Sequence, residues 1–242
     1  MTTTYEGQWQ ERTAVLLGDA RLDYFHTRHI LIVGVGGVGG AAAEMLCRAG
    51  IGRLTLIDAD TIAESNINRQ LIATHRSVGE TKVTCFAERL RDINPAITLD
   101  ARATFITPDT IDALLDEVRP DFVIDAIDTL QPKVALIATC IRRSQPIITS
   151  LGAGAKSDIT QIKYADLWKT HNCTLGKMVR KGLTKEGLRW KRVPAVFSSE
   201  LPDEAALIFL EGERNKKTSA GTISYMPNTF GCYLAAYVLK HL

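Results

Sequence analysis

Short aliphatic runs alternate with segments of helical periodicity over the first 155 residues of the chain. The aliphatic runs are residues 29–33, 53–58, 98–103, 121–126 and 146–150. Between them, helices are predicted near residues 41–50, 82–93, 108–118 and 133–143. Alternating strands and helices are typical of an α/β fold, so the pattern predicts a Rossmann-like, doubly wound and mainly parallel sheet with helices on both faces.

The pattern is weaker at both ends of the chain. Residues 5–27 have helical spacing interrupted at Gly18, which predicts a helical lead-in. Its inward-facing positions are predicted to be Leu16, Leu17, Leu22, Tyr24 and Phe25. Beyond Gly154, a strand at residues 160–164 is followed by a basic helical stretch, apolar segments at residues 196–200 and 205–210, and a helix at residues 230–241. We therefore expect one domain over residues 1–242, with a core at 28–155 and an elaborated part at 156–242.

Composition places the chain among ordinary globular proteins. Hydrophobic residues make up 45% and charged residues 23% of the sequence, which argues against disorder. The cysteines stand singly, without a CxxC pair, so we expect a reducing, cytoplasmic location. The polar first residues and the short apolar tail predict neither a secretory signal nor a membrane span. The cysteines are Cys47, Cys85, Cys140, Cys173 and Cys232.

A glycine-rich loop, GVGGVGG, occupies residues 34–40 directly after the first predicted strand and opens the first predicted helix. In this context GxGxxG lets the backbone approach a phosphate, and the helix N-terminus favours the negative charge. The loop glycines expected at the nucleotide are Gly34, Gly36, Gly37 and Gly39. The alternative is a tight turn without a ligand.

Asp58 ends the second predicted strand, where a carboxylate can accept hydrogen bonds from both hydroxyls of a ribose. Asp58 can instead cap the loop that follows it. Together with the glycine loop, this carboxylate fits NAD and ATP equally well.

A cluster of polar residues after Asp58 separates the two nucleotides. Asn66, Asn68, Arg69, Gln70 and Lys82 are all expected near the strand ends. A triphosphate attacked by a carboxylate requires cations that neutralise the charge growing on the α-phosphate, and arginine and lysine supply them. A dehydrogenase is disfavoured, because no His or Tyr arrangement for hydride transfer accompanies a second glycine loop.

Two aspartates end the fourth predicted strand, at the same edge of the sheet. Asp128, in the loop, is the candidate ligand of a Mg²⁺ ion that bridges phosphate oxygens. Asp125 is expected to anchor the loop. Either aspartate can instead start a turn.

In this order and spacing, GVGGVGG, LIDAD, SNINRQ, VGETKV, INP and DAID resemble the E1-like activating family that includes the ThiF, MoeB and HesA proteins. The resemblance covers residues 10–155. It implies that the loop glycines line an ATP site, that Asp58 binds ribose, and that Asp128 binds magnesium. Asn66, Arg69 and Lys82 would contact the phosphates, with Asp60, Asn68 and Gln70 completing the site. Arg12 matches an arginine that one protomer of a homodimer inserts into its partner's nucleotide site.

Four further stretches resemble the tRNA threonylcarbamoyladenosine dehydratase branch of this family: IDAIDTLQPKVALIATC, GAG at residues 152–154, VFSSE and ISYMPNTFG. Thr129 follows Asp128, where most E1-like proteins have asparagine. The resemblance implies ATP-dependent adenylation of the carboxylate on a modified adenosine beside the anticodon, followed by ring closure. A monovalent cation and a sulfur-transfer protein partner stay open.

A strongly basic segment lies in the C-terminal part. Residues 177–192 contain seven basic residues and one acid, Glu186, within a chain of net charge +2. Such a segment can contact the phosphates of a tRNA anticodon stem-loop, with Trp168 or Trp190 stacking on a base, or can be a solvated helix. Its basic residues are Lys177, Arg180, Lys181, Lys185, Arg189, Lys191 and Arg192.

Two other functions remain open at this point. An enzyme that activates a small carrier protein would adenylate a protein C-terminus and form a thioester, for which Cys173 is the candidate thiol. Such enzymes commonly carry zinc on two CxxC pairs, and zinc is not expected here because the chain has none. A nucleotide-binding scaffold would bind ATP without catalysing pyrophosphate exchange.

Overall fold

The fold was analysed in a computed structural model that describes residues 8–209 and 218–242. The strands predicted in the first part of the chain are present. They are β1 His29–Val33, β2 Arg53–Ile57, β3 Thr98–Arg102, β4 Phe122–Asp125 and β5 Ile147–Ser150. Two later strands, β6 Ile162–Asp166 and β7 Pro194–Ser198, extend the same sheet.

The seven strands lie in the order β3-β2-β1-β4-β5-β7-β6. All neighbouring pairs are parallel except β6 and β7, which are antiparallel. Val33, the last residue of β1, is in register with Ile57 of β2 and Asp125 of β4. The carboxyl ends of these strands therefore meet at one edge, where the strand order reverses between β1 and β4. Ligands of open α/β sheets bind in the crevice at such a reversal.

Helices cover both faces of the sheet and confirm the doubly wound α/β fold. One face carries α3 Gly37–Arg48, α4 Lys82–Ile93 and α8 Tyr225–His241. The other carries α5 Ile111–Val118, α6 Leu130–Arg142 and α7 Thr174–Lys185. Alternate residues of each strand serve the two cores: in β1, Ile30 and Ile32 pack in one cluster, while Leu31 and Val33 pack in the other.

The N-terminal segment forms two helices, α1 Glu11–Leu17 and α2 Asp19–His26, which are separated at Gly18 with a φ of +83°. Leu22 and Phe25 are buried, as predicted. The prediction was wrong for Leu16, Leu17 and Tyr24, which are exposed, Leu16 at 80%. Helical spacing shows which side chains share a face, but α1 has no part of the described core to pack against.

The C-terminal part closes with a small antiparallel hairpin, β8 Leu207–Phe209 and β9 Thr218–Ala220, before α8 begins. Part of the predicted segment 205–210 is therefore β8, and residue 210 lies outside the described residues. Within the described residues, no helix combines the length and apolar character that a membrane span requires.

Candidate nucleotide-binding site

A cavity of about 1000 Å³ opens at the carboxyl edge of the sheet, where the strand order reverses. Its first wall, which we define as the lining residues between 33 and 132, follows strands β1, β2 and β4. Its second wall, the lining residues between 152 and 227, comes from the C-terminal part. The cavity therefore joins the two parts of the chain.

The glycine loop of the first wall is tightly packed on one side and open on the other. Gly34 has a φ of +87°, and a Cβ atom there would lie 2.8 Å from the carbonyl oxygen of Ala126. A Cβ atom at Gly39 would lie 1.8 Å from the carbonyl oxygen of Gly34. Gly34, Gly36 and Gly37 line the cavity, whereas Gly39 is buried and absent from its described lining. The absence of a side chain at Gly39 lets the loop pack closely on Gly34, and nucleotide contact by Gly39 stays a prediction.

Asp58 connects this loop to the next one. Its Oδ2 accepts the N–H of Val35 at 2.8 Å, and its Oδ1 accepts the N–H of Asp60 at 2.9 Å. Burial raises the pKa of Asp58, and the Lys82 ammonium, 3.8 Å from Oδ1, opposes that rise. Because Asp58 also lines the cavity, the carboxylate combines the capping role with a position beside a ligand.

Lys82 is the first residue of α4 and is held at the cavity by acidic partners. Its Nζ lies 2.6 Å from Oδ2 of Asp60 as well as near Asp58. Its backbone N–H donates to the carbonyl oxygen of Asp60 at 3.1 Å. The predicted Asp58, Asp60 and Lys82 are thus brought together, and the ammonium is fixed in place before any ligand arrives.

The segment between Asn66 and Gln70 supplies the second cation. Arg69 lines the cavity, and its Nη1 donates to the carbonyl oxygen of Ser65 and to Oδ1 of Asn68, both at 2.8 Å. Burial lowers the pKa of Arg69, and the Asp128 carboxylate opposes that change. Asn68 is absent from the described lining of the cavity and accepts the hydrogen bond from Arg69, and its direct contact with a nucleotide stays a prediction.

Two amide side chains of this segment also line the cavity. Oδ1 of Asn66 accepts the N–H of Ala63 at 3.2 Å. Gln70 is buried, and its Oε1 has no hydrogen-bond partner among the described residues. An unsatisfied buried acceptor beside a cavity is available to a donor group of a ligand.

A buried ion pair beneath the cavity was missed by the sequence analysis. The side chains of Asp125 and Lys133 are 0% exposed, with Oδ2 and Nζ 2.8 Å apart. Asp125 also accepts from Oγ1 of Thr149 and from the N–H of Ile127, to whose carbonyl oxygen Lys133 donates. As expected, Asp125 anchors the loop. The sequence clue to its partner is a lysine directly before the aliphatic run of residues 134–138 in helix α6.

This anchored loop presents Asp128, which lines the cavity. Magnesium in phosphate-transfer sites is commonly held by one or two protein carboxylates together with substrate phosphates and water. Asp128 fits that donor set. No group of three His, Cys, Asp or Glu side chains suited to holding a metal occurs within residues 8–209 and 218–242.

The second wall includes a thiol and a lysine. Cys173 caps the N-terminus of α7, and its Sγ accepts the N–H groups of Gly176 and Gly152, each at 3.4 Å. Lys156 is 6% exposed and donates from Nζ to the carbonyl oxygen of Ser198 at 2.8 Å. The sequence analysis did not single out Lys156.

The remaining predicted residues lie outside the described lining of the cavity. Arg12 is exposed on α1. Arg180 is half-buried and donates to Oγ1 of Thr170 and to the carbonyl oxygen of Leu167. The other predicted basic residues are exposed: Lys177, Lys181, Lys185, Arg189, Lys191 and Arg192.

Two tryptophans stand beside this basic surface. Trp190 is 65% exposed, and its ring lies 5.3 Å from that of Trp168. The indole N–H of Trp168 donates to the carbonyl oxygen of Lys191 at 2.7 Å, which holds the inner ring in place. The guanidinium of Arg189 lies 5.1 Å from the centroid of the Trp190 ring.

Three features define a nucleotide-binding α/β protein of the Rossmann-like class. They are the order of strands in the sheet, the glycine loop where that order reverses, and the two cationic residues of the first wall, Arg69 and Lys82. The chain belongs to the ThiF family, whose model matches residues 10–242.

The chain is 41% identical to the Escherichia coli protein called tRNA threonylcarbamoyladenosine dehydratase, over 100% of this chain and 97% of that protein. It is 35% identical to the Bacillus subtilis protein of the same name, over 96% of this chain and 93% of the relative. The crystal structure of the E. coli dehydratase TcdA in complex with ATP superposes with a TM-score of 0.86 at 38% identity, covering 97% of this chain and 93% of TcdA.

Proposed function

We propose that this chain uses ATP to adenylate the free carboxylate of threonylcarbamoyladenosine in tRNA, after which the activated side chain closes into a ring. The observation that carries the proposal is a single cavity with two walls. Arg69 and Lys82 lie on the first wall, and the second wall comes from the C-terminal part. The names of the full-length relatives and the ATP complex of TcdA support the same reaction.

In the first step, a carboxylate oxygen attacks the α-phosphorus and the bond to the β-phosphate oxygen breaks, so pyrophosphate leaves. Two anions must meet, and Arg69 and Lys82 offset their repulsion. Because Ser65 and Asn68 hold Arg69 and the two aspartates hold Lys82, little reorganisation is needed when charge develops on the phosphate.

In the second step, an atom of the same threonylcarbamoyl group attacks the acyl carbon, and that group loses a proton. AMP leaves with the former carboxylate oxygen, so the nucleoside loses the elements of one water. Intramolecular attack brings a large gain in effective concentration, and the reaction therefore requires no thiol of the enzyme.

Asp128 is the residue that would hold Mg²⁺ against the phosphates. An ion held there would neutralise phosphate charge. The Asp125–Lys133 pair holds the backbone next to Asp128. The position of the Asp128 carboxylate therefore depends on a buried ion pair.

We assign the binding of tRNA to the basic surface formed by the exposed cationic side chains of residues 177–192. Cations on one face bind RNA phosphates with release of counterions, independently of sequence. Trp190, exposed among these cations, offers a ring on which an unpaired base of the anticodon region can stack. The helix α7 starts at the cavity, with Thr174 in its lining, and runs to this surface.

We assign the interface of a homodimer to the N-terminal helix α1. Arg12 is exposed on α1 together with Val15 and Leu16, two apolar side chains that are more than three-quarters exposed, at 84% and 80%. A second copy of the chain that covers these apolar groups would bring Arg12 to the surface of its partner. The family resemblance implies that this arginine enters the partner's nucleotide site.

Activation of a small carrier protein is the second candidate, because the Cys173 thiol lines the cavity. In that case the carboxylate is a protein C-terminus, and the acyl group passes from AMP to Sγ. The product would be a thioester that a reducing thiol releases.

The test incubates the purified protein with ATP, Mg²⁺ and tRNA that carries threonylcarbamoyladenosine, and follows the nucleoside by mass spectrometry and AMP by chromatography. We expect loss of one water per AMP formed. The matched control is the same tRNA with unmodified adenosine, which should yield no AMP. ATP binding without AMP formation would favour a scaffold, and a reducible adduct at Cys173 would favour carrier activation.

A further inference from the structure

Three lysines are buried in the described part of the chain, and they differ in their partners. Lys82 is paired with Asp60 and Asp58, and Lys133 is paired with Asp125. Lys156 forms no ion pair with any described carboxylate. Its one hydrogen bond donates to the carbonyl oxygen of Ser198 at 2.8 Å.

A buried ammonium without a counter-ion is unfavourable, because the charge loses its hydration and gains no opposite charge. Burial accordingly lowers the pKa of Lys156, while Cys173 and the Glu200 carboxylate oppose that change only from a distance. An ammonium has three N–H donors, and Ser198 takes one of them. The remaining donors suit an anion that is not part of the described chain.

The position of Lys156 indicates which anion this is. Lys156 lines the same cavity as Arg69 and Lys82, but it lies on the second wall, next to Gly152–Ala155 in sequence and to Cys173 in the lining. The phosphates of a nucleotide meet the cations of the first wall. A second cation site on the opposite wall is therefore placed to meet a second anion.

We infer that Lys156 binds the carboxylate that is adenylated, and thus selects a substrate that carries one. The inference rests on the proposed function. One carboxylate oxygen accepts from the Lys156 ammonium, and the other is left to attack the α-phosphorus. The ammonium also offsets the repulsion between carboxylate and phosphate. Lys156 is then a residue that binds the reacting carboxylate of the substrate itself.

A purely structural role is the alternative, because the bond from Lys156 to Ser198 ties the loop after β5 to the end of β7. The variant Lys156→Gln separates the two roles, since its amide keeps a donor for the Ser198 carbonyl and removes the charge. Lys156→Arg keeps the charge. Lys163→Gln, the same change at an exposed lysine of β6 outside the described cavity lining, is the matched control.

The experiment measures binding of two tRNAs, one with threonylcarbamoyladenosine and one with unmodified adenosine, in the presence of a non-hydrolysable ATP analogue. We expect the wild type to prefer the modified tRNA, and Lys156→Gln to lose about 10- to 100-fold of that preference, the size typical of a hydrogen bond to a charged group. KM for the modified tRNA should rise correspondingly, with ATP affinity unchanged. Lys156→Arg should keep most of the preference, and Lys163→Gln all of it.

Retention of the preference and of KM in a folded Lys156→Gln variant would overturn the inference, as would an equal loss of affinity for both tRNAs and for ATP. If the wild type dehydrates the nucleoside when ATP replaces the analogue, the proposed function stands whether or not the inference does. If the wild type forms no dehydrated product, the proposed function is wrong. The inference is then wrong as well, because it rests on that function.

Should Lys156→Gln fail to fold, labelling of the wild type decides. A small amine-reactive reagent is applied with the ATP analogue and each tRNA in turn, and modification of Lys156 is read by peptide mass spectrometry. Stronger protection by the modified tRNA than by the unmodified one supports the inference. Equal protection by both contradicts it.

Discussion

The two walls of the cavity differ in how their charges are balanced. On the first wall, Lys82 has aspartate partners, and Lys133 beneath it is neutralised by Asp125. On the second wall, the one hydrogen-bond partner of the Lys156 ammonium among the described residues is a backbone carbonyl. A lysine whose charge is already paired can hold a nucleotide in a fixed geometry, whereas a lysine with no described counter-ion is suited to select the other reactant.

The walls also differ in how the chain builds them. The first consists of loops that follow adjacent parallel strands, whose ends are aligned by the sheet register. The second comes from the loop after β5, the start of α7 and the segment before α8, which are distant in sequence. The first wall is thus a local product of the sheet, and the second depends on how the C-terminal part packs.

The largest expected effect tests the buried pair under the first wall. Lys133→Met leaves Asp125 buried without a counter-ion, and breaking such a pair costs about 3–5 kcal/mol of folding free energy. Urea unfolding measures the loss, with Lys163→Met as the control at an exposed lysine. The double variant Lys133→Met with Asp125→Leu should recover part of the stability. A loss below about 1 kcal/mol in the single variant would contradict paired burial.

Removal of the first-wall cations should come next. Arg69→Ala and Lys82→Ala are each expected to lower the rate of AMP formation by about 10²–10³-fold, as loss of one preorganised charge-stabilising group does. Binding of the modified tRNA should change little. Arg76→Ala, at an exposed residue of the loop before α4, is the control. Full turnover in both cavity variants would remove the basis of the proposed chemistry.

A smaller effect is expected at the basic surface. Loss of a base stacked on an aromatic ring costs about 1–3 kcal/mol, so Trp190→Ala should weaken tRNA binding without changing ATP affinity. Arg189→Ala should instead lower the salt dependence of tRNA binding by about one unit of slope. Filter binding over a range of salt concentrations measures both. Unchanged affinity in both variants would mean that tRNA binds elsewhere.

The smallest effect concerns the thiol of the second wall. Cys173→Ser keeps an N-cap acceptor for α7 and should retain full dehydration activity, because the proposed reaction needs no enzyme thiol. Cys173→Ala loses the cap and should lower stability by about 1 kcal/mol with activity still present. A folded Cys173→Ser variant that is inactive would point to covalent transfer through sulfur, and so to carrier activation.

Much of the first wall was predictable because its geometry is local. A β-branched strand followed by glycines and a helix specifies one backbone path, and parallel strands bring residues such as Asp58 and Asp128 to the same edge. The partners of single side chains were not predictable, because neighbouring residues decide them. Asn68 turns toward Arg69 and Thr222, and no periodicity in the sequence describes such contacts.

The sequence by itself determined the order of strands and helices, the glycine loop and the placement of Asp58, Arg69 and Lys82 near the strand ends, because these follow from side-chain periodicity and backbone freedom. Only the tertiary structure decided that Leu16 and Leu17 are exposed, that Lys133 is buried against Asp125, and that Lys156 lines the cavity with no described carboxylate as ion-pair partner. Burial and charge pairing depend on segments far apart in the chain, which meet only when the whole sheet and its helices have packed.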